Sequence, residues 1–139
     1  MGIEEIEPFV ATSRKKIYVF NTVPVAKPRM TRSDIWKRRP VVMKYRAFAD
    51  ELRYQANAQK YKLKAPVDVT FVIPFPKTYS MKKKIKMEGQ PHIIEKFDID
   101  NLIKAFCDAL TDKDGHIWSI RAEKIWGHTG KIIVREYDY

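Results

Sequence analysis

The sequence is poor in thiols, in metal-binding histidine patterns, in long apolar runs and in negative charge. Its one cysteine, Cys107, excludes an internal disulfide and a zinc cage of several thiolates. His92, His116 and His128 do not stand at the mutual spacings of a metal site and read as ordinary polar residues, with His116 the one nearest a candidate acid, Asp114. No run approaches the roughly 18 consecutive apolar residues of a membrane span. The acidic start, Met1 to Pro8, does not read as a signal peptide. A cytoplasmic protein with no membrane partner is the expectation. Acids are outnumbered, 17 Asp and Glu against 27 Lys and Arg, which leaves a net charge of +10. So basic a chain attracts polyanions, and nucleic acid is the commonest of these.

The length of 139 residues suits one domain with a real core, residues 1–14 forming a tail or edge segment. Lys16 to Val23 is rich in β-branched and aromatic residues and predicts a strand. Between Pro28 and Pro40 lies the most basic stretch, read as a loop, with Arg29, Arg32, Lys37, Arg38 and Arg39 around Trp36 and with Lys27 just before it. It suits a grip on DNA phosphates, with Trp36 able to stack on an exposed base or wedge at a branch point. The alternative is a solvated loop with Trp36 packed on the body. From Met43 to about Lys60, Tyr45, Phe48, Ala49, Leu52 and Ala56 recur at helical spacing. Val67 to Ile73 alternates as a strand with Val67, Val69, Phe71 and Ile73 inward. A second basic run, with Lys82, Lys83 and Lys84, predicts a loop or short helical turn that either closes over DNA or only solubilises. Ile117–Trp126 and Lys131–Tyr137, joined by Gly127-His128-Thr129-Gly130, predict a β-hairpin. Trp118 and Trp126 read as core or interface residues. The expected class is α+β: a mixed sheet with two main helices in the order strand, helix, strand, helix, hairpin.

The scarce acids gather between Asp98 and Asp114. In an extended reading Asp98 and Asp100 point to one side, with Phe97 and Ile99 to the other. A helix follows, with Leu102, Ile103, Phe106, Cys107 and Leu110 as its apolar stripe and Asn101, Lys104 and Asp108 opposite. Asp100 is the expected N-cap. Capping and a Lys104–Asp108 helix-face pair explain these residues without chemistry. Yet bare carboxylates repel phosphate, and an acidic cluster on a phosphate-binding surface makes physical sense chiefly with a divalent cation between them. Aspartates are hard oxygen ligands suited to Mg2+.

The run Asp-Ile-Asp-Asn-Leu-Ile-Lys-Ala-Phe-Cys-Asp-Ala-Leu from Asp98, followed by Asp112-Lys113-Asp114-Gly115-His116-Ile117-Trp118, resembles the signature of the RusA family of Holliday-junction resolvases, phage members included. The likeness extends to Lys27-Pro28-Arg29-Met30-Thr31-Arg32 and to Lys124-Ile125-Trp126. The resemblance implies that Asp98, Asp100 and Asp114 are the catalytic, metal-binding acids and that Lys104 is the important lysine. Family members often carry a second acid directly before the last aspartate. That position is Lys113 here, so Asp112 either substitutes for it or stands outside the site.

The expected function is therefore Mg2+-dependent hydrolysis of a phosphodiester in a four-way DNA junction, with Mn2+ as a substitute ion and no small-molecule cofactor. Lys104 would contact the scissile phosphate and Asn101 would orient a carboxylate or the attacking water, with Asp108 and Asp112 as supporting acids. A junction offers two equivalent strands, so a homodimer is expected, working in the cytosol of a bacterium or phage-infected host. The alternatives are a metal-dependent nuclease acting on flaps or other branches, and a non-catalytic junction-binding protein.

Overall fold

Side-chain alternation lays out the sheet. The computed structural model describes residues 14–137, apart from the side chains of Arg14, Lys15 and Asp114. The expected tail at 1–14 thus lies outside the described residues, except for the backbone of Arg14. That residue opens β1 (Arg14–Phe20), which buries Tyr18 and Phe20 and exposes Ile17 and Val19. In β2 (Val67–Pro74) the predicted inward set of Val67, Val69, Phe71 and Ile73 is buried. Thr70 and Val72 on the other face are buried as well, which suits a central strand. The Thr70 hydroxyl accepts from Arg135 at 3.0 Å and donates to Glu123 at 3.0 Å.

β3 (Ile120–Gly127) and β4 (Lys131–Tyr137) complete a four-stranded sheet of order β1-β4-β2-β3. β4 runs antiparallel to both β1 and β2, and β3 runs parallel to β2. The expected hairpin is corrected here: β3 and β4 flank β2 instead of pairing with each other. Gly127 makes room for the crossing, because a Cβ there would lie 2.3 Å from Val72 Cγ1. Phe75 N–H, just past β2, still donates to the Gly127 carbonyl at 3.2 Å.

The α+β class, the mixed sheet and the alternation of strands with helices agree with the sequence pattern. A short third helix, α2 (Met81–Met87), lies within the second basic run. The two longer ones, α1 (Pro40–Ala58) and α3 (Ile99–Leu110), pack on each other and on the inner face of the sheet. α1 starts three residues earlier than predicted because Pro40, with no N–H to satisfy, is well suited to the first helical position. It buries Val42, Phe48, Ala49, Leu52 and Ala56. α3 buries Leu102, Phe106 and Cys107 together with Ala105 and Ala109, whose small side chains let the helix lie close to its neighbours. Phe106 meets Phe71 of the sheet edge-on, with centroids 6.2 Å apart.

Candidate active site

α3 begins at Ile99, so Asp98 is the N-cap and Asp100 belongs to the first turn. This corrects the expected cap. It also replaces the expected extended run, since Phe97 takes φ +70° and turns the chain straight into the helix. The Asp98 carbonyl accepts from the N–H groups of Asn101 and Leu102, both at 3.0 Å, while its carboxylate makes no capping bond. Asp98 and Asp100 are exposed, and neither belongs to the ion pairs among the described residues, which are Lys27–Asp108, Arg39–Asp34, Arg53–Asp50 and His128–Glu88.

The corner is strapped to β3. Trp126 exchanges backbone hydrogen bonds with Gly89 and Gln90 at 2.9 and 3.0 Å, and His92 N–H donates to the Lys124 carbonyl at 3.0 Å. The Lys124 ammonium then donates to the carbonyls of Phe97 at 2.9 Å and Ile94 at 3.2 Å, directly before Asp98. Beneath them the buried His92 ring lies against Trp126 at 4.3 Å and Phe97 at 6.1 Å, and its Nδ1 has no hydrogen-bond partner. Burial, and then the nearby Lys124 charge, push the His92 pKa below its ordinary 6.5. The corner therefore rests on a neutral, largely aromatic floor. Trp126 is a core residue as expected, and Trp118 is about half exposed.

The basic loop forms the other wall. Lys27 N–H donates to the Asn101 carbonyl at 3.0 Å, and its ammonium pairs with Asp108. The expected Lys104–Asp108 pair is thus replaced by Lys27–Asp108, which leaves Lys104 exposed. Between loop and helix is a cleft of about 420 Å³ lined by Lys27, Pro28, Arg29, Met30, Asn101 and Lys104. Asp100 and Asn101 in the first turn both neighbour Lys104 in the next, because residues three and four apart are adjacent on a helix surface.

Of the remaining expected residues, Asp112 is exposed just beyond Thr111, the C-cap of α3. Asp114 opens a 3₁₀ turn, Asp114–His116, and its side chain lies outside the described residues. Among the described residues no three His, Cys, Asp or Glu side chains form a metal cage. Arg29, Arg32, Lys37 and Arg38 are exposed on the loop, as are Lys82 and Lys83 on α2, where Lys84 is half-buried. Lys83 lies over the Tyr79 ring at 3.8 Å.

Arg39 is engaged internally. Its guanidinium donates to the Asp34 carboxylate from Nε at 2.8 Å and from Nη2 at 2.7 Å. Thr31 N–H donates to the same carboxylate at 2.7 Å. These bonds hold the Asp34 carboxyl well below the usual carboxylate range, the Arg39 guanidinium contributing most and the Thr31 amide next. Sequence reasoning passed over Asp34, although one acid among so many cations was a signal of a local ion pair. It also gave Lys124 no role, and nothing local marks a strand lysine as the strap of a distant loop.

A family model described as endodeoxyribonuclease RusA matches residues 20–135. The chain belongs to the RusA family. RusA proteins are Holliday-junction resolvases, endonucleases that hydrolyse phosphodiester bonds in branched DNA during recombination, and they are generally metal-dependent. The RusA match takes in the whole cleft and the acids at 98, 100 and 114. No curated protein matches the chain.

Proposed function

We propose that this RusA chain resolves four-way junctions as a cytoplasmic homodimer, by Mg2+-dependent hydrolysis of two symmetrically placed phosphodiesters. One observation carries the reading: two exposed carboxylates, Asp98 and Asp100, that belong to no ion pair among the described residues stand at the head of a helix whose next turn helps line a cationic cleft. Phosphate is attracted by Lys27, Arg29 and Lys104 and repelled by the two aspartates. A divalent cation reconciles these, and the donors fit it, being hard carboxylate oxygens. Asp98, Asp100 and Asp114 would hold the ion, Mg2+ or Mn2+ in its place. When bound, it supplies Lewis-acid activation of water and offsets charge developing on the phosphodiester.

The chain's own groups do the rest. Lys104 contacts the non-bridging oxygens of the scissile phosphate. Asn101, half-buried at the same cleft, orients a carboxylate or the attacking water for in-line displacement. Asp108 holds Lys27 at the rim, where Lys27 and Arg29 seat the neighbouring backbone. Arg32, Lys37 and Arg38 on the loop and Lys82, Lys83 and Lys84 on α2 bind the arms of the junction. A two-fold dimer presents one such site to each of the two equivalent strands.

The test is cleavage of an end-labelled four-way junction, a flap and a linear duplex, each with Mg2+ and with a chelator. Paired symmetric nicks in the junction alone, dependent on Mg2+, are expected. Cutting of the flap alone would make this a flap nuclease, and binding without cutting in any lane would leave the acids a structural role.

A further inference from the structure

The basic loop ends in a knuckle that phosphate binding alone does not call for. Arg32–Ile35 form a 3₁₀ turn capped by Trp36, and the Ser33 carbonyl accepts from the N–H groups of Trp36 at 3.1 Å and Lys37 at 2.7 Å. Asp34 is its root, only 2% exposed and bound through its carboxylate to Thr31 and Arg39. Arg46 of α1 donates to the Asp34 carbonyl at 2.9 Å, and Arg39 Nη2 donates to the Arg29 carbonyl at 2.9 Å, closing the neck.

From this anchored root two large apolar side chains project into solvent, Ile35 at 82% and Trp36 at 69% exposure. Exposing them costs hydrophobic free energy, and a merely solubilising loop would not carry them side by side. Their flanks are cationic: Arg32, Lys37 and Arg38 are exposed, and the one acid within the turn is neutralised by Arg39. An apolar tip between cations matches a nucleobase between phosphates, whereas a protein pocket for it would need an acidic rim. The neck residue Arg29 also lines the cleft beside Asn101 and Lys104, so the tip is tethered next to the proposed cutting site.

We infer that Ile35 and Trp36 form a wedge inserted at the branch point, with Trp36 stacking on a base unpaired at the crossover and Arg32, Lys37 and Arg38 gripping the flanking phosphates. This rests on the junction-resolvase reading above. The hydrogen-bonded root keeps the wedge preorganised, so little ordering cost falls on binding.

The experiment uses the full chain and a four-way junction carrying 2-aminopurine in the crossover base pair, opposite the base on which Trp36 stacks, in chelator. Wild type and Trp36→Phe should raise the fluorescence as the base unstacks. Trp36→Ala should abolish the rise and weaken junction binding by roughly fivefold to a hundredfold, with linear-duplex affinity and Tm unchanged. If Trp36→Ala still unstacks the base while wild type cuts the junction in Mg2+, the wedge is wrong and the resolvase reading stands. If wild type neither prefers nor cuts the junction, both fall. If Trp36→Ala instead turns a dimer into a monomer by sedimentation, with fluorescence unaffected, the tip joins two copies of the chain and the wedge is overturned.

Discussion

Replacing Lys124 by Met should loosen the proposed catalytic corner without unfolding the protein. The Lys124 ammonium holds two carbonyls, at 2.9 Å on half-buried Phe97 and at 3.2 Å on exposed Ile94. Water can replace the second bond, so the loss falls mainly on the first, about 1.5–3 kcal/mol for a hydrogen bond from a charged donor. Phe97 holds φ +70°, a conformation that costs a bulky residue about 1–3 kcal/mol and persists only where its surroundings impose it. The two magnitudes are comparable, so without the strap the turn rests on the packing of the Phe97 ring and on the backbone bonds of Gly89, Gln90 and His92 to β3. Its ordered population should fall by about tenfold to a hundredfold, since each 1.4 kcal/mol is a factor of ten. Single-turnover cleavage of a labelled junction should drop by that factor, and the Mg2+ concentration at half-maximal rate should rise. Junction binding in chelator should stay within about threefold and Tm within a few degrees, because helix and sheet packing are untouched. A Lys124→Met protein that cuts at the wild-type rate with an unchanged Mg2+ requirement would refute the strap.

Other perturbations reach different parts of the molecule. Asp98→Asn or Asp100→Asn should abolish cleavage while gel-shift affinity for the junction stays equal or tightens, because a repulsive charge near phosphate is removed; both variants cutting normally would overturn the site. Phe106→Ala, at the fully buried contact with Phe71, should destabilise by about 3–5 kcal/mol in urea titration. His92 is held neutral in the fold, so below its ordinary pKa of 6.5 the unfolded chain binds more protons than the folded one. Stability should therefore fall as the pH drops through and below 6.5, down to the depressed folded value, and His92→Phe should flatten that part of a Tm–pH profile. A slope unchanged by the substitution would assign the effect to other groups.

Much of the fold is legible where one local pattern has one solution. The apolar stripes of α1 and α3 name most of their buried residues, and the inward set of β2 is buried as its sequence says, though Thr70 and Val72 on its other face are covered as well. The strand order is not local: two neighbouring strand patterns joined by a short turn read as a hairpin, whereas β3 and β4 lie either side of β2. The cap is shifted by a backbone choice at Phe97, since nothing about a phenylalanine announces a left-handed turn. At the site, the acids and Lys104 stand out by their chemistry, while the groups that hold them in place come from far away in sequence. Asp108 shows this well, because Lys104 is its obvious helical partner and Lys27, brought over by the loop, takes the carboxylate instead.

The placement of β4 has a consequence for how the protein is made. Among the described strands β1 has no partner but β4, and β2 meets β1 only through it, although most of the chain separates β1 from β4. On a ribosome β1 must wait, unpaired, until β4 has emerged, and β2 has β3 on one edge only until then. Such long-range pairing slows folding and leaves strand edges open to other chains meanwhile. β4 is the keystone of the sheet, and the nascent protein is most exposed to aggregation just before it arrives.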